Sequence, residues 1–210
     1  MNVHLKDKFD LFRKTVERFV ILNDEEWAIF QSYLETLSLK KKGFFVRSDE
    51  VCNHIGFIVS GSVRFYHLKE GIEITGYFSL ENEMISSYKS FVTRRPGFSC
   101  IEALEKTELV TLSHSSLQQL MANEQLSFKM ERFGRLVAEY LVCCYEDRVS
   151  SFVTQTPEER YIDLLSKSSN LIQRIPQHYI ANYLGITPVS LSRIRRRIMA
   201  PSRQLRQVLS

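Results

Sequence analysis

The sequence predicts an α+β protein in three parts. An N-terminal β-roll, double-stranded β-helix or jelly-roll-like, follows a pair of helices; a long dimerisation helix comes next; a helix-turn-helix closes the chain. Three observations predict this. Between Gly43 and Ser113, short β-branched and aromatic runs alternate with turn signals. From about Leu117 to Phe152, apolar residues recur at helical spacing with no proline. Beyond Thr156, proline and glycine punctuate short helical patterns. The parts are placed at 1–115, 116–153 and 154–210.

Residues 1 to about 40 read as helical. "DLFRKTVERFV" and "DEEWAIFQSYLETL" space their apolar residues by three and four, and Asn23 offers a cap before the second run. The strands then read as "FFVRSDE", "HIGFIVSGSVRFYHL", "IEITGYF", "CIEAL" and "ELVTL". Turns at Ser60-Gly61, Lys69-Glu70-Gly71 and Arg95-Pro96-Gly97 separate them. The polar run "LENEMISSYKS" interrupts the strands as a short helix.

In the long helix, Leu126, Met130, Phe133, Val137, Tyr140 and Cys144 step by four and three. That is an a/d seam of nearly three heptads, which wants a partner helix. The competing reading is that the seam packs on its own strand domain. Gly134 lies within it, where a missing side chain allows close approach.

The composition is that of an ordinary folded chain: 210 residues, 44% hydrophobic and 25% charged. No run of 18 apolar residues predicts a membrane span, and the N-terminus lacks the apolar core of a secretory signal. Cys52, Cys100, Cys143 and Cys144 show no zinc spacing. They read as reduced thiols of a cytoplasmic protein. No metal, cofactor or nucleophile–base constellation stands out, so no enzymatic activity is expected.

The charge is segregated. Asp163 is the last acid; beyond it stand Lys167, Arg174, Arg193, Arg195, Arg196, Arg197, Arg203 and Arg206. A net charge of +4 overall, against +8 for that segment, leaves −4 for residues 1–163. A basic end is the electrostatic footprint of a polyanion binder.

Thr156-Pro157, with Glu158 and Glu159 in the first turn, starts the first helix of this end. A second runs from Gln177 to Leu184 and stops at Gly185. Thr187-Pro188 caps a third. With Gln177 as position one, the helix-turn-helix pattern wants a small residue at five, a turn former at nine and apolar residues at four, eight, ten, fifteen and eighteen. Ala181, Gly185, Ile180, Leu184, Ile186, Leu191 and Ile194 supply them all. On the last helix, Leu191, Ile194 and Ile198 share one side, while Val189, Ser192, Arg193 and Arg196 share the other. Ser190 and Arg197 flank them, and Arg195 sits near the buried side. The candidate contacts to double-stranded DNA are Thr187, Pro188, Val189, Ser190, Ser192, Arg193, Arg196 and Arg197. Arg193 suits a guanine edge; Arg196 and Arg197 suit phosphates.

Roll, seam helix and helix-turn-helix in this order resemble the Crp/Fnr family of bacterial transcription regulators across essentially the whole chain. "FIVSGSVRFYH" is similar to the family's roll hairpin and "GITPVSLSRIRR" to its recognition helix. The resemblance implies a homodimer on a two-fold symmetric site, with RNA polymerase as a further partner. It places Arg193 where the family carries its main base-reading arginine, and Val189 where an acid often stands. The chain ends soon after this helix, which leaves open whether the family's wing strands follow it. Nucleotide-binding members carry a Gly-Glu pair and then Arg-Ser or Arg-Thr before Ala. This chain reads "ENEMISSY" and "GFSCIEAL" there, with Gly97 at the phosphate arginine. Independence from cyclic AMP is therefore expected. A haem, known in the family, would draw on His54, His67 or His114, and each reads better as a surface or strand histidine. The alternative function is a sensor whose roll binds an effector of unknown identity.

Overall fold

A computed structural model describes residues 5–167 and 169–199. The fold is α+β, and the chain divides into two compact units, Met1–Tyr145 and Glu146–Ser210.

The first unit opens with α1 (Leu5–Val16) and α2 (Asp24–Gln31). Asn23 caps α2 in a full capping box: its side chain accepts from the Glu26 N–H, and Glu26 accepts from the Asn23 N–H. The helical reading to residue 40 fails beyond α2. Residues Leu34–Leu39 form β1, paired antiparallel with β8 (Thr107–Ser113). Leu34 and Leu39 are buried at its ends. The ladder to a distant strand overrides the local helical spacing.

The remaining strands are β2 (Phe44–Val46), β3 (His54–Ser60), β4 (Val63–Lys69), β5 (Ile72–Ser79), β6 (Met84–Ile85) and β7 (Ser99–Ala103). They form two four-stranded sheets, ordered β1-β8-β3-β6 and β2-β7-β4-β5. The β3–β4 turn uses Gly61 at φ +102°, and an added Cβ there would strike Thr107 Oγ1 at 2.5 Å. The polar interruption resolves into β6 and α3 (Tyr88–Thr93). Ile58, Val63, Ile85, Ile101, Ala103 and Leu109 fill one core of the roll. The second core lies on the other face of β3 and β8, where Phe57, Val110 and Leu112 meet α1 and α2. Arg64 is buried on β4, held by Glu73 and Glu102 at 2.7 Å each, with its guanidinium 4.1 Å from the Tyr66 ring. Two carboxylates and a ring make that buried cation tolerable.

The single helix expected from Leu117 to Phe152 is two helices: α4 (His114–Ala122) and α5 (Ser127–Thr154). Asn123 separates them. Its Oδ1 accepts from the N–H groups of Gln125 and Leu126, opening α5 as a cap would. The division between units falls inside α5, ahead of the boundary expected at 154. The cause is local: the last turns of α5 pack within the second unit, where Arg148 donates to the Tyr183 carbonyl at 2.7 Å.

The seam also needs correction. Leu126 and Met130 are completely buried and Phe133 nearly so, all in the second core of their own unit, with Val137 packed against it. A side chain with no exposed surface has none to offer a partner, so this half of the seam is core. Tyr140 is exposed and sets its ring edge-on to Phe19, and Cys144 is half-buried. A different set of α5 residues lies outward: Val142 is 56% exposed, Tyr145 67% and Val149 61%.

The second unit holds α6 (Pro157–Lys167), α7 (Ser169–Arg174), α8 (Gln177–Tyr183) and α9 (Pro188–Met199). Thr156 and Glu159 form the capping box of α6.

Candidate nucleic-acid interface

The interface is built from the turn outward. Gly185 follows α8 at φ +73°, in the left-handed region that glycine enters without a Cβ penalty. The Ile186 N–H donates to the Ala181 carbonyl at 3.0 Å and the Gly185 N–H to that of Asn182 at 3.0 Å. These bonds satisfy the last carbonyls of α8 and reverse the chain.

Thr187 then caps α9. Its Oγ1 accepts from the Ser190 N–H at 3.1 Å, and its carbonyl accepts the first helical bond, from Leu191, at 3.0 Å. Pro188 occupies the first helical position, where its missing N–H costs nothing. Ile180, Ala181, Leu184, Leu191 and Ile194 are all buried, and Ile186, in the turn, is half-buried. Ala181 has no exposed surface at all; a larger side chain there would push α9 away.

The opposite face of α9 is open. Thr187, Pro188, Val189, Arg193, Arg196 and Arg197 are exposed, and Ser190 and Ser192 are half-buried. Arg195 is half-buried, as its place near the apolar side predicts. Among the described residues, Arg193 and Arg196 have no hydrogen-bond or ion-pair partner. Arg197 differs: it pairs with Glu158 at 2.8 Å, which ties α9 to the first turn of α6. An exposed pair of that kind is worth little and yields readily to a phosphate. Arg203 and Arg206 lie outside the described residues, as does any wing following α9.

Two supports escaped the sequence reading. Arg160 is buried and donates from Nη2 to the Leu184 carbonyl at 2.9 Å and from Nη1 to that of Gln155 at 2.6 Å. Arg148 places its guanidinium 3.6 Å from the Tyr183 ring and 4.1 Å from that of Phe152. Both cations sit at the C-terminal end of α8, where the helix dipole favours positive charge.

In the roll, the segment around Gly97 is closely packed. A Cβ on Gly97 would lie 2.7 Å from Ser87 Oγ and 3.2 Å from Ser90 Cβ. A side chain at this position would require Ser87 Oγ to shift. Arg94 spends its guanidinium on the carbonyls of Cys52 and Phe91 and on the Asn53 side chain. His67 faces the Phe98 carbonyl at the exposed end of β4, His114 packs edge-on against Phe91, and His54 sits half-buried on β3. Among the described residues no three His, Cys, Asp or Glu side chains gather to hold a metal ion. None of the described helices is long and apolar enough to cross a membrane.

No protein-family model matches the sequence, and no curated protein matches it. Solved structures do. FixK2 from Bradyrhizobium japonicum aligns with a TM-score of 0.64 at 21% identity, over 80% of this chain and 86% of its own. The c-di-GMP-responsive global regulator CLP of Xanthomonas campestris aligns with a TM-score of 0.64 at 15% identity, over 83% and 91%. The Thermus thermophilus catabolite activator protein gives 0.54 at 17%, over 90% and 88%. These neighbours are Crp/Fnr family regulators, and at such identities the likeness is one of fold.

Proposed function

We propose that this chain is a sequence-specific DNA-binding transcription regulator of the Crp/Fnr kind, acting as a homodimer on a two-fold symmetric site. One observation carries the reading: α9 is buried on its apolar side by a complete helix-turn-helix, and its other side presents unpaired arginines behind small N-terminal residues. Such a helix enters a major groove end-first. Val189, Ser190 and Ser192 come close to base edges, Arg193 reads a guanine through N7 and O6, and Arg196 binds phosphate. Arg197 joins it by exchanging Glu158 for a phosphate. The Thr187 hydroxyl and the first N–H groups of α9 add anion contacts.

Dimerisation runs through the outward residues of α5. Ala138, Val142 and Tyr145 step by four and three, and the sequence extends the spacing to Val149. This stripe replaces the half of the expected seam that is core. Two recognition helices then lie about 34 Å apart, one turn of B-DNA. Cyclic AMP is not the effector, because Gly97 offers no charge, Arg94 is engaged with Cys52, Phe91 and Asn53, and a buried phosphate without a charged partner is costly.

A titration of labelled duplex with the full chain at rising salt tests this reading. Binding that falls steeply between about 50 and 200 mM salt supports it. Binding that is absent at low salt, or indifferent to salt, contradicts it.

A further inference from the structure

We propose that the cavity lined by α1, α3, α4, α5 and strands β3, β6 and β8 is a binding site for a small, uncharged, mainly apolar molecule carrying one hydrogen-bonding group. The cavity has a volume of about 350 Å³ and lies wholly within the first unit. That volume is at the lower end for small-molecule sites. It meets the interior of the roll at Ile55, Phe91 and Leu117, while Ile58, Val63, Ile101, Ala103 and Leu109, which fill that interior, do not line it.

The walls specify the body of the ligand. Phe12, Phe57, Val110, Leu112, Phe133 and Val137 make them apolar. An empty space of this size is unusual beside a core as tightly buried as Leu120, Leu126 and Met130.

Gly134 contributes to that space. It faces the cavity from within α5, and a Cβ there would meet only Met121 Cε, at 3.8 Å. That is ordinary contact, so no close approach demands glycine. A glycine inside a helix costs stability relative to alanine; what its missing side chain supplies here is room.

The polar groups specify the rest. Tyr88, His114 and Gln118 also line the cavity. Among the described residues, none of these three side chains has a hydrogen-bond partner. They are free to serve one donor or acceptor on a ligand. The charged lining residues are Glu131 and Arg135, of opposite sign, and Arg135 already pairs with Glu139. Burial and the Arg94 charge lower the pKa of His114, which keeps its ring neutral. An anion entering this space would find Arg135 already spent, and Glu131, exposed on the rim, offers a cation no buried counter-charge, so the ligand is uncharged.

Phe133, Gly134 and Val137 belong to α5, the helix proposed to dimerise. Any effect of the ligand on DNA binding rests on that reading; the site itself does not.

The test uses 2-naphthol as a neutral probe and 2-naphthoate as its charged counterpart. Each is titrated calorimetrically into the full chain without DNA. The expected result is one 2-naphthol per chain, with 2-naphthoate at least about tenfold weaker. Gly134→Leu fills the cavity, and Val92→Trp covers its rim from a residue that is 56% exposed. Each is expected to weaken 2-naphthol at least about tenfold, while Gly134→Ala still binds it. Should Gly134→Leu not fold, Val92→Trp decides. No binding of 2-naphthol, or binding unchanged in the variants, overturns the proposal. Since DNA plays no part, either outcome leaves the DNA-binding reading standing.

Discussion

Arg160 reaches from α6 to the end of α8 and donates from Nη2 to the Leu184 carbonyl at 2.9 Å. The guanidinium is buried, and Leu184 is the residue just before the turn that aims α9. Arg160→Ala leaves two carbonyls without their charged donor. It is expected to cost about 2–3 kcal/mol and to weaken binding to every DNA sequence alike. Denaturant unfolding of the full chain measures it; a loss below about 0.5 kcal/mol would mean that water replaces the guanidinium freely.

The division of α5 into an inward and an outward side predicts two classes of variant. Met130→Ala removes a fully buried side chain and is expected to cost about 2–5 kcal/mol without changing the oligomeric state of the folded protein. Val142→Glu or Tyr145→Glu leaves the core intact and yields a monomer. Light scattering of size-separated protein distinguishes them. A folded Met130→Ala protein that dissociates, or a dimeric Tyr145→Glu protein, contradicts the assignment.

Glu108 makes stability depend on acid. Its partial burial opposes ionisation, but hydrogen bonds from Ser38, Lys106 and Lys8 outweigh it and hold the pKa at about 2, below the ordinary 4.5. A lowered folded-state pKa stabilises above the ordinary value, and that stabilisation is lost as pH falls towards 2. Glu108→Gln is expected to cost about 1 kcal/mol at pH 7. The gap from the parent protein narrows between pH 4.5 and 2. Unfolding midpoints measured across that range check it; a gap that stays constant refutes the pairing.

On α9, Arg193 and Arg196 are expected to separate by kind of contact. Arg193→Ala relaxes base preference at one position of each half-site by about 1–3 kcal/mol. Arg196→Ala weakens cognate and random duplexes equally and reduces the salt slope by about one. Competition titrations with both duplexes measure this, and equal behaviour of the two variants would show the roles to be wrongly divided.

The helix-turn-helix was legible because its signals are local. Gly185, Thr187 and Pro188 act within a few residues of where they stand, and the apolar spacing of α9 settles which side is buried. The rest depended on partners far along the chain. Leu34 and Leu37 fit a helix as well as a strand until β8 is there to pair with β1. The break at Asn123 involves neither proline nor glycine, so nothing in the composition marked it. The α5 seam carried a true periodicity but not its address, because apolar residues lie on two sides of that helix and burial alone tells them apart. Arg148 and Arg160 went unnoticed because each meets a carbonyl more than twenty residues away. The cavity beside Gly134 has no sequence signature, being a property of helices and strands far apart in the sequence.

The most direct measurement is selection of duplex DNA from a random pool by the full chain. The expected product is an inverted repeat whose half-sites are about one helical turn apart, and which Arg193→Ala enriches less sharply. A pool that yields no motif from a protein that is folded and monomeric would contradict the assignment of α9 as a recognition helix and of α5 as the dimer seam.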